Sequence, residues 1–190
     1  MALIREDNAS FWWIQSTRAF AFIAMCILPY TFEHFSENTW DIKMIWTSLD
    51  TTATLTLAAL LIPLGAINAK GITHLKQYPQ VRMQHWNALY YTINILSWAI
   101  YLLAYEYLFR GVLFLGILAH TPLNIAILLN TVLYALAHLH KGKKEVLGAI
   151  PLGIIFCLLS YYSGSFWAAF VIHWIMATNN FIWSHHYSKS

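Results

Sequence analysis

The feature that most constrains this chain is a succession of long apolar segments separated by short polar ones. The apolar segments cover residues 11–30, 44–67, 86–119, 123–139, 146–162 and 165–183. A helix that crosses the hydrocarbon core of a bilayer needs about 20 mostly apolar residues. Only 10% of the sequence is charged, whereas a soluble domain usually carries about 25%. The sequence therefore predicts an all-α, polytopic integral membrane bundle of six or seven spans, with residues 1–190 forming a single transmembrane domain.

Charged residues in the connecting segments predict how the bundle is oriented. Lys and Arg prefer cytoplasmic loops, and the basic segments are 68–84 and 141–144. The acidic segment 31–41 is then expected outside, and six crossings leave both termini in the cytoplasm. We therefore expect a plasma (inner) membrane protein. The segment 86–119 would be about 50 Å long as a helix, so it must tilt, break or project.

Composition excludes several classes of function. The formal net charge of +3 is small and scattered, which does not favour nucleic acid as a partner. Cys26 and Cys157 both lie inside apolar segments and are interpreted as small hydrophobic residues. No HExxH pattern is present, and three scattered ligand residues do not predict a zinc site. We therefore predict no metal and no cofactor.

Ionisable residues inside apolar helices are costly and need a partner or a function. Seven such residues occur here: Arg18, Asp50, Glu106, Arg110, His120, His138 and His173. Glu106 precedes Arg110 by four residues, which places them on one helix face in the better order for an ion pair. Taken by itself, that spacing favours a structural pair over catalysis.

The helical hairpin around the break at 120–122 places further polar residues at a similar depth in the membrane. Glu106 and His138 lie at similar distances before and after this break, and Tyr134 is one turn from His138. His173 lies within the last span. We therefore expect one carboxylate and two imidazoles to meet in one pocket. Such a group suits activation of a water by a general base, with the second imidazole stabilising an oxyanion.

These residues belong to three short motifs, which are YEYLFR at 105–110, YALAH at 134–138 and HWIMA at 173–177. In this order they resemble the pattern EExxxR, then FxxxH, then HxxxN, of the CAAX protease and bacteriocin-processing (CPBP, or Abi) family of intramembrane endopeptidases. The resemblance covers about residues 88–182 and implies Glu106, His138 and His173 as catalytic residues. It also implies Arg110, Tyr105 and Tyr134 as structural or orienting residues.

The chain departs from the family pattern at two positions. Arg110 fixes the register, so Glu106 matches the second Glu and Tyr105 replaces the first, which in the family activates water together with the His of the second motif. Ala177 replaces the Asn that supports the oxyanion. A tyrosine is a poor base because its ordinary pKa is about 10, and alanine donates no hydrogen bond. Neighbouring helix residues point about 100° apart, so Glu106 does not simply replace residue 105.

Three functions remain open at this point. The first is an endopeptidase that cleaves a membrane-associated peptide or protein, with Glu106 or His138 as base and His173 as oxyanion support. The second is an inactive pseudoprotease that binds a membrane partner as a scaffold or regulator. The third is a small transporter or a subunit of a membrane complex, in which Arg18, Asp50, Glu106 and Arg110 form structural ion pairs.

Overall fold

A computed structural model describes residues 8–35, 45–71, 78–81, 83 and 85–188, and every regular element among them is helical. Seven α-helices are present in this part of the chain, together with one π-helical segment and one short 3-10 turn. The helices are α1 (Asn8–Phe35), α2 (Ser48–Ala69), α3 (Ala88–Glu106), α4 (Leu115–His120), α5 (Leu123–Ala137), α6 (Lys143–Ser163) and α7 (Trp167–Tyr187). The π-helical segment is Tyr107–Phe114 and the 3-10 turn is Leu139–Lys141.

Four helical stretches of the described chain are long and apolar enough to cross a membrane. They are Ser48–Ala69, Ala88–His120, Leu123–Lys141 and Lys143–Ser163. Leu55, Leu60 and Leu64 of α2 are exposed on the surface of the chain, where lipid is the solvent that suits them. The chain is an integral membrane protein, and the prediction of six or seven crossings stays a prediction.

The ends of the helices follow local sequence signals. Thr47 and Asp50 form a reciprocal capping box at the start of α2. The predicted break at 120–122 is present, and Pro122 precedes the first residue of α5, because proline fits a helix start but cannot continue one. Gly164 ends α6 in the left-handed region with φ 67°, which glycine adopts at no steric cost.

The long apolar segment 86–119 forms one helical stretch, Ala88–His120, with a π-helical segment in its middle. A π-helix adds a residue to a turn and is frequently found at functional sites. Here it carries the buried Phe109 and Arg110. The stretch of 33 residues exceeds the bilayer core, as the length argument predicted.

Side-chain contacts fix the relative direction of neighbouring helices. Phe11 and Arg18 of α1 contact Tyr90 and Asn94 of α3, in the same order along both helices. The two helices therefore run parallel. Asp50 and Ile62 of α2 likewise contact Ser165, two residues before α7, and Asn179 of α7. These two helices therefore also run parallel.

The hairpin of α5 and α6 is packed closely at Gly153. A Cβ atom at this position would lie 3.2 Å from Thr131 Cγ2 and 3.4 Å from Tyr134 Cδ1. Glycine here lets α6 approach the face of α5 that carries Tyr134. Since α5 has only 15 residues, it rises about 22 Å, and the buried His138 directly follows its last residue.

Candidate active site

Glu106 and Arg110 form an ion pair in the interior of the bundle. Arg110 Nε lies 3.2 Å from Glu106 Oε2, and both side chains are fully buried. The pair joins the end of α3 to the π-helical segment. The ion pair predicted from the spacing of these two residues is confirmed. A buried guanidinium without a carboxylate would be strongly destabilising, so this contact explains how the bundle tolerates the charge.

Arg110 is also held from two other helices. Its Nη1 donates to Asn130 Oδ1 of α5 and lies 3.6 Å from Cys157 Sγ of α6. Its guanidinium carbon lies 4.3 Å from the centre of the Tyr134 ring, a cation–π contact. Asn130 Nδ2 in turn donates to the carbonyl of Phe109 at 2.8 Å. Arg110 therefore ties three helices together and is enclosed by protein.

Asn130 was not among the predicted site residues, and Cys157 was interpreted only as a small hydrophobic residue. Asn130 is fully buried, and its amide bridges the guanidinium and a backbone carbonyl of the π-helical segment. The available signal was an amide in the middle of an apolar helix, which seldom occurs without a partner. Cys157 is buried, as expected, but it also contacts Arg110 and Asn130.

Glu106 and His173 are in direct contact across α3 and α7. Glu106 Oε1 lies 2.6 Å from His173 Nδ1, and the hydroxyl of Tyr134 lies 3.4 Å from the same nitrogen. A carboxylate only accepts hydrogen bonds, so Nδ1 of His173 carries hydrogen and donates it. This arrangement orients the ring, as the carboxylate of a catalytic triad does.

His138 is fixed by the backbone at the end of α5. Its Nδ1 lies 2.9 Å from the carbonyl oxygen of Tyr134, which also only accepts, so this nitrogen donates. In the neutral ring Nε2 is then a hydrogen-bond acceptor. The rings of His138 and His173 lie 6.3 Å apart between centroids and 26° from parallel. In the described part of the chain, neither Nε2 takes part in a hydrogen bond.

Both imidazoles line a cavity of about 390 Å³. Tyr134 and Ala177 also line it, whereas Glu106 is fully buried and does not. The expectation of one pocket therefore holds for His138 and His173 and is wrong for Glu106. Both carboxylate oxygens of Glu106 face protein groups, Oε1 facing His173 and Oε2 facing Arg110.

Tyr105 stands behind the two imidazoles and does not line the cavity. Its ring lies edge-on to His138 and His173, with centroids 6.3 Å and 5.8 Å away, and stacks on Phe109 at 4.5 Å. Its hydroxyl is buried with no hydrogen-bond partner among the described residues. The aromatic ring therefore packs the position at which the resemblance implies a carboxylate.

Of the remaining ionisable residues from the sequence, Asp50 and His120 do not line this cavity, whereas Arg18 lines another part of it. Asp50 belongs to the cap of α2 and accepts from Ser165, and Arg18 is hydrogen-bonded to Asn94 and Ser97. His120 is exposed at the end of α4. Within the described ranges, Asp50 and Arg18 each lack an oppositely charged partner. Of the structural ion pairs expected for a transporter or subunit, only the pair of Glu106 and Arg110 is therefore present among these residues.

No group of three or more His, Cys, Asp or Glu side chains in the described part of the chain is arranged to hold a metal ion. The site as it stands consists of two imidazoles, one oriented by a carboxylate and the other by a carbonyl. What it offers chemically is an acceptor nitrogen and a potential donor nitrogen on facing rings.

Comparison with known protein families matches residues 84–179 to the family described as Type II CAAX prenyl endopeptidase Rce1-like. This stretch covers half of the 190-residue chain and includes Glu106, Arg110, His138 and His173. Neither the curated proteins nor the solved structures provide a match. By its sequence and the motifs gathered around this cavity, the chain belongs to the Rce1-like CAAX protease family, the CPBP or Abi intramembrane proteases.

Proposed function

We propose that this protein is an intramembrane endopeptidase in which His138 is the general base and the Glu106–His173 pair is the oxyanion support. The observation that carries the proposal is the pair of imidazoles facing one cavity, each with Nδ1 occupied by an acceptor. Each ring thus has Nε2 left for a substrate or a water. Glu106 is the weaker candidate for the base because both its oxygens face protein groups.

The proposed reaction is hydrolysis of one peptide bond by water. His138 Nε2 takes a proton from water while the water oxygen attacks the scissile carbonyl carbon. Protonated His173, stabilised by the Glu106 carboxylate, donates from Nε2 to the developing oxyanion. The carbon–nitrogen bond then breaks, and His138 returns its proton to the leaving amine. Water is the only co-reactant.

Two departures from the family pattern lower the expected rate. Tyr105 supplies an aromatic ring where the family keeps a water-activating carboxylate. Ala177 lines the cavity where the family keeps an Asn, so one oxyanion donor is missing. Loss of one such donor costs about 10²–10³ in rate. We therefore propose a slow peptidase whose substrate is anchored in the membrane, since the cavity lies within the helical bundle.

Cleavage of membrane-anchored peptides tests this proposal directly. The purified protein in lipid nanodiscs is incubated with a library of lipid-anchored fluorogenic peptides, beside His138→Ala and His140→Ala. His140 is an exposed neighbour of the same residue type and does not line the cavity. We expect cleavage by the parent and by His140→Ala, and a loss of about 10²-fold or more in His138→Ala. Equal cleavage by all three proteins contradicts the assignment of His138.

A binding-only pseudoprotease is the second candidate, and the packing of Tyr105 and Ala177 favours it. In this case the cavity binds a membrane protein without cleaving it, and the chain acts as a scaffold or regulator. The parent would then leave every peptide of the library intact. It would nevertheless retain a membrane protein through purification, and a bulky substitution in the cavity, Ala177→Leu, would release that protein.

We also propose that residues 1–190 form one transmembrane domain in the plasma (inner) membrane with both termini in the cytoplasm. Parallel α1 and α3 support this orientation, because their N-terminal ends lie at the same end of the bundle. The Tyr78 hydroxyl donates to Glu145 Oε1 at 3.1 Å, so the segment between α2 and α3 meets the start of α6. Lys70, near the end of α2, lies beside Tyr187, near the end of α7. Basic residues thus gather at one end, as cytoplasmic loops do.

A further inference from the structure

Arg18 of α1 is a buried cation that lines the same cavity as the two imidazoles but plays no part in their chemistry. Its side chain is 7% exposed, and no carboxylate of the described residues pairs with it. Its hydrogen bonds go to Gln15, Asn94 and Ser97, all uncharged. A buried charge with only neutral partners is costly, so a ligand that supplied a negative charge would be bound favourably.

The guanidinium of Arg18 is held through one of its terminal nitrogens. All four described hydrogen bonds of Arg18 start from Nη1. Nη2 and Nε are not used in them, and these two nitrogens form the edge that arginine presents to a carboxylate or phosphate in a bidentate contact. Asn94 and Ser97 therefore fix the orientation of the group, as a built binding site requires.

A second cation, Lys141, lies near the same aromatic ring as Arg18. The guanidinium carbon of Arg18 lies 4.0 Å from the centre of the Trp98 ring, and Lys141 Nζ lies 5.8 Å from the same centre. The two charges are thus at most about 10 Å apart. They come from α1 and from the 3-10 turn after α5, so the tertiary fold brings them together.

The cavity as a whole carries an excess of positive charge. Arg18, Lys141 and Lys144 line it, against the single carboxylate Glu145 among the described lining residues. The Glu145 carboxylate already accepts a hydrogen bond from the Tyr78 hydroxyl. Leucine and methionine side chains form other parts of the wall, and Arg18 itself is buried, so its attraction to an anion is stronger than it would be in water.

We propose that Arg18, Trp98 and Lys141 form an oxyanion-binding subsite for a carboxylate or a phosphate. The subsite is distinct from the imidazole pair. Trp98 precedes Tyr105 by seven residues on α3, about 10 Å along the helix axis. Arg18 also lies outside the residues matched by the family comparison. Binding of an anion requires no cleavage, so the two proposals are tested independently. Absence of anion binding would leave the proposed peptidase activity untouched, and absence of cleavage would leave the proposed subsite untouched.

Thermal unfolding in a neutral detergent tests the subsite with two kinds of probe. One is sodium phosphate, titrated at constant ionic strength against sodium chloride. The other is N-acetyl-leucyl-leucine, compared with its C-terminal amide. A ligand that binds only the folded protein raises the midpoint of unfolding. We expect a saturable rise with phosphate, with the peptide acid, or with both, and a smaller rise with the amide. The more effective probe identifies the source of the oxyanion.

Substitutions at Arg18 and at a control position decide whether Arg18 is responsible for binding the anion. Arg18→Gln should weaken the apparent affinity tenfold or more, the size of effect of one charge-assisted hydrogen bond. Lys143→Gln should leave it within twofold, since Lys143 is the exposed first residue of α6 and does not line the cavity. If Arg18→Gln does not fold, Lys141→Gln replaces it, with an expected loss of threefold or more. No saturable shift with either probe, or equal shifts in the parent and the cavity variant, would overturn the proposal.

Discussion

His173 Nδ1 lies 2.6 Å from Oε1 of Glu106, although the two residues are on different helices and 67 positions apart. The contact fixes which nitrogen of His173 carries hydrogen, and it directs Nε2 away from the carboxylate. Arg110 holds the other carboxylate oxygen at 3.2 Å. Carboxylate, imidazole and guanidinium therefore form a chain in which each group restricts the orientation of the next.

Replacing the carboxylate of this chain with an amide tests its role in catalysis. In Glu106→Gln the side-chain shape is kept, but the negative charge that stabilises protonated His173 is lost. We expect kcat to fall about 10²-fold or more, with KM changed much less, because the oxyanion forms only in the transition state. The measurement is steady-state cleavage of a membrane-anchored peptide, corrected for the folded fraction.

Glu145→Gln is the matched control for that experiment. Glu145 also has a hydrogen-bonded carboxylate and lines the same cavity, but its partner is Tyr78. Burial and the neighbouring carboxylate both raise the pKa of Tyr78, so its hydroxyl stays protonated and donates. We expect kcat of this variant to remain within about threefold of the parent. If both variants lose activity equally, a specific role for Glu106 is excluded.

Arg110 is expected to act on stability and not on substrate. Arg110→Ala removes the partner of a fully buried carboxylate and the contact with Asn130. Breaking a buried pair costs about 3–5 kcal/mol, so the thermal midpoint in detergent should drop by many degrees. Lys143→Ala, an exposed residue, should change it little. A variant at position 110 with full stability and no activity would contradict this structural role.

The sequence made the Glu106–Arg110 pair predictable, because helical spacing alone places the two side chains together. The meeting of His138 and His173 required the hairpin and the family motifs as well. An amide in the middle of an apolar helix signalled that Asn130 needs a partner, but the identity of its partners and the cavity wall around Arg18 were not predictable, since each depends on contacts between helices far apart in sequence. Spacing along one helix also could not predict that both carboxylate oxygens of Glu106 face protein groups, so that the imidazoles and not Glu106 line the cavity.

Close packing of α5 against α6 is expected to depend on Gly153. A Cβ atom added at this position would lie 3.2 Å from Thr131 Cγ2, and valine adds two methyl groups beyond it. Gly153→Val should therefore separate the helices and destabilise the protein by about 1–3 kcal/mol. Gly148→Val is the control on the same helix, because a Cβ atom at Gly148 has no neighbour within 4 Å. It shows the effect of valine on helix propensity without a steric clash. Equal thermal midpoints for the two variants would show that the close approach does not matter.

The last prediction separates a working enzyme from a degenerate one. Tyr105→Glu would restore a carboxylate at the position where the family keeps its water-activating residue. This position is beside His138, since the centroids of the Tyr105 and His138 rings lie 6.3 Å apart. Ala177→Asn would add an amide donor to the wall of the cavity. The double variant loses the stacking of Tyr105 on Phe109, so its folding is verified first by its thermal midpoint.

We expect the double variant to cleave membrane-anchored peptides faster than the parent by about 10²-fold or more, because a single oxyanion donor contributes about 10²–10³ in rate. His138→Ala placed in the double variant should abolish that gain, since the restored carboxylate acts on water together with this imidazole. The measurement is the initial rate of cleavage for the parent, the double variant and the triple variant in the same lipid. A folded double variant that is no faster than a cleaving parent would show that the two imidazoles already supply the chemistry. If the parent is inactive and the double variant active, the cavity is that of a protease that has lost its catalysis through Tyr105 and Ala177.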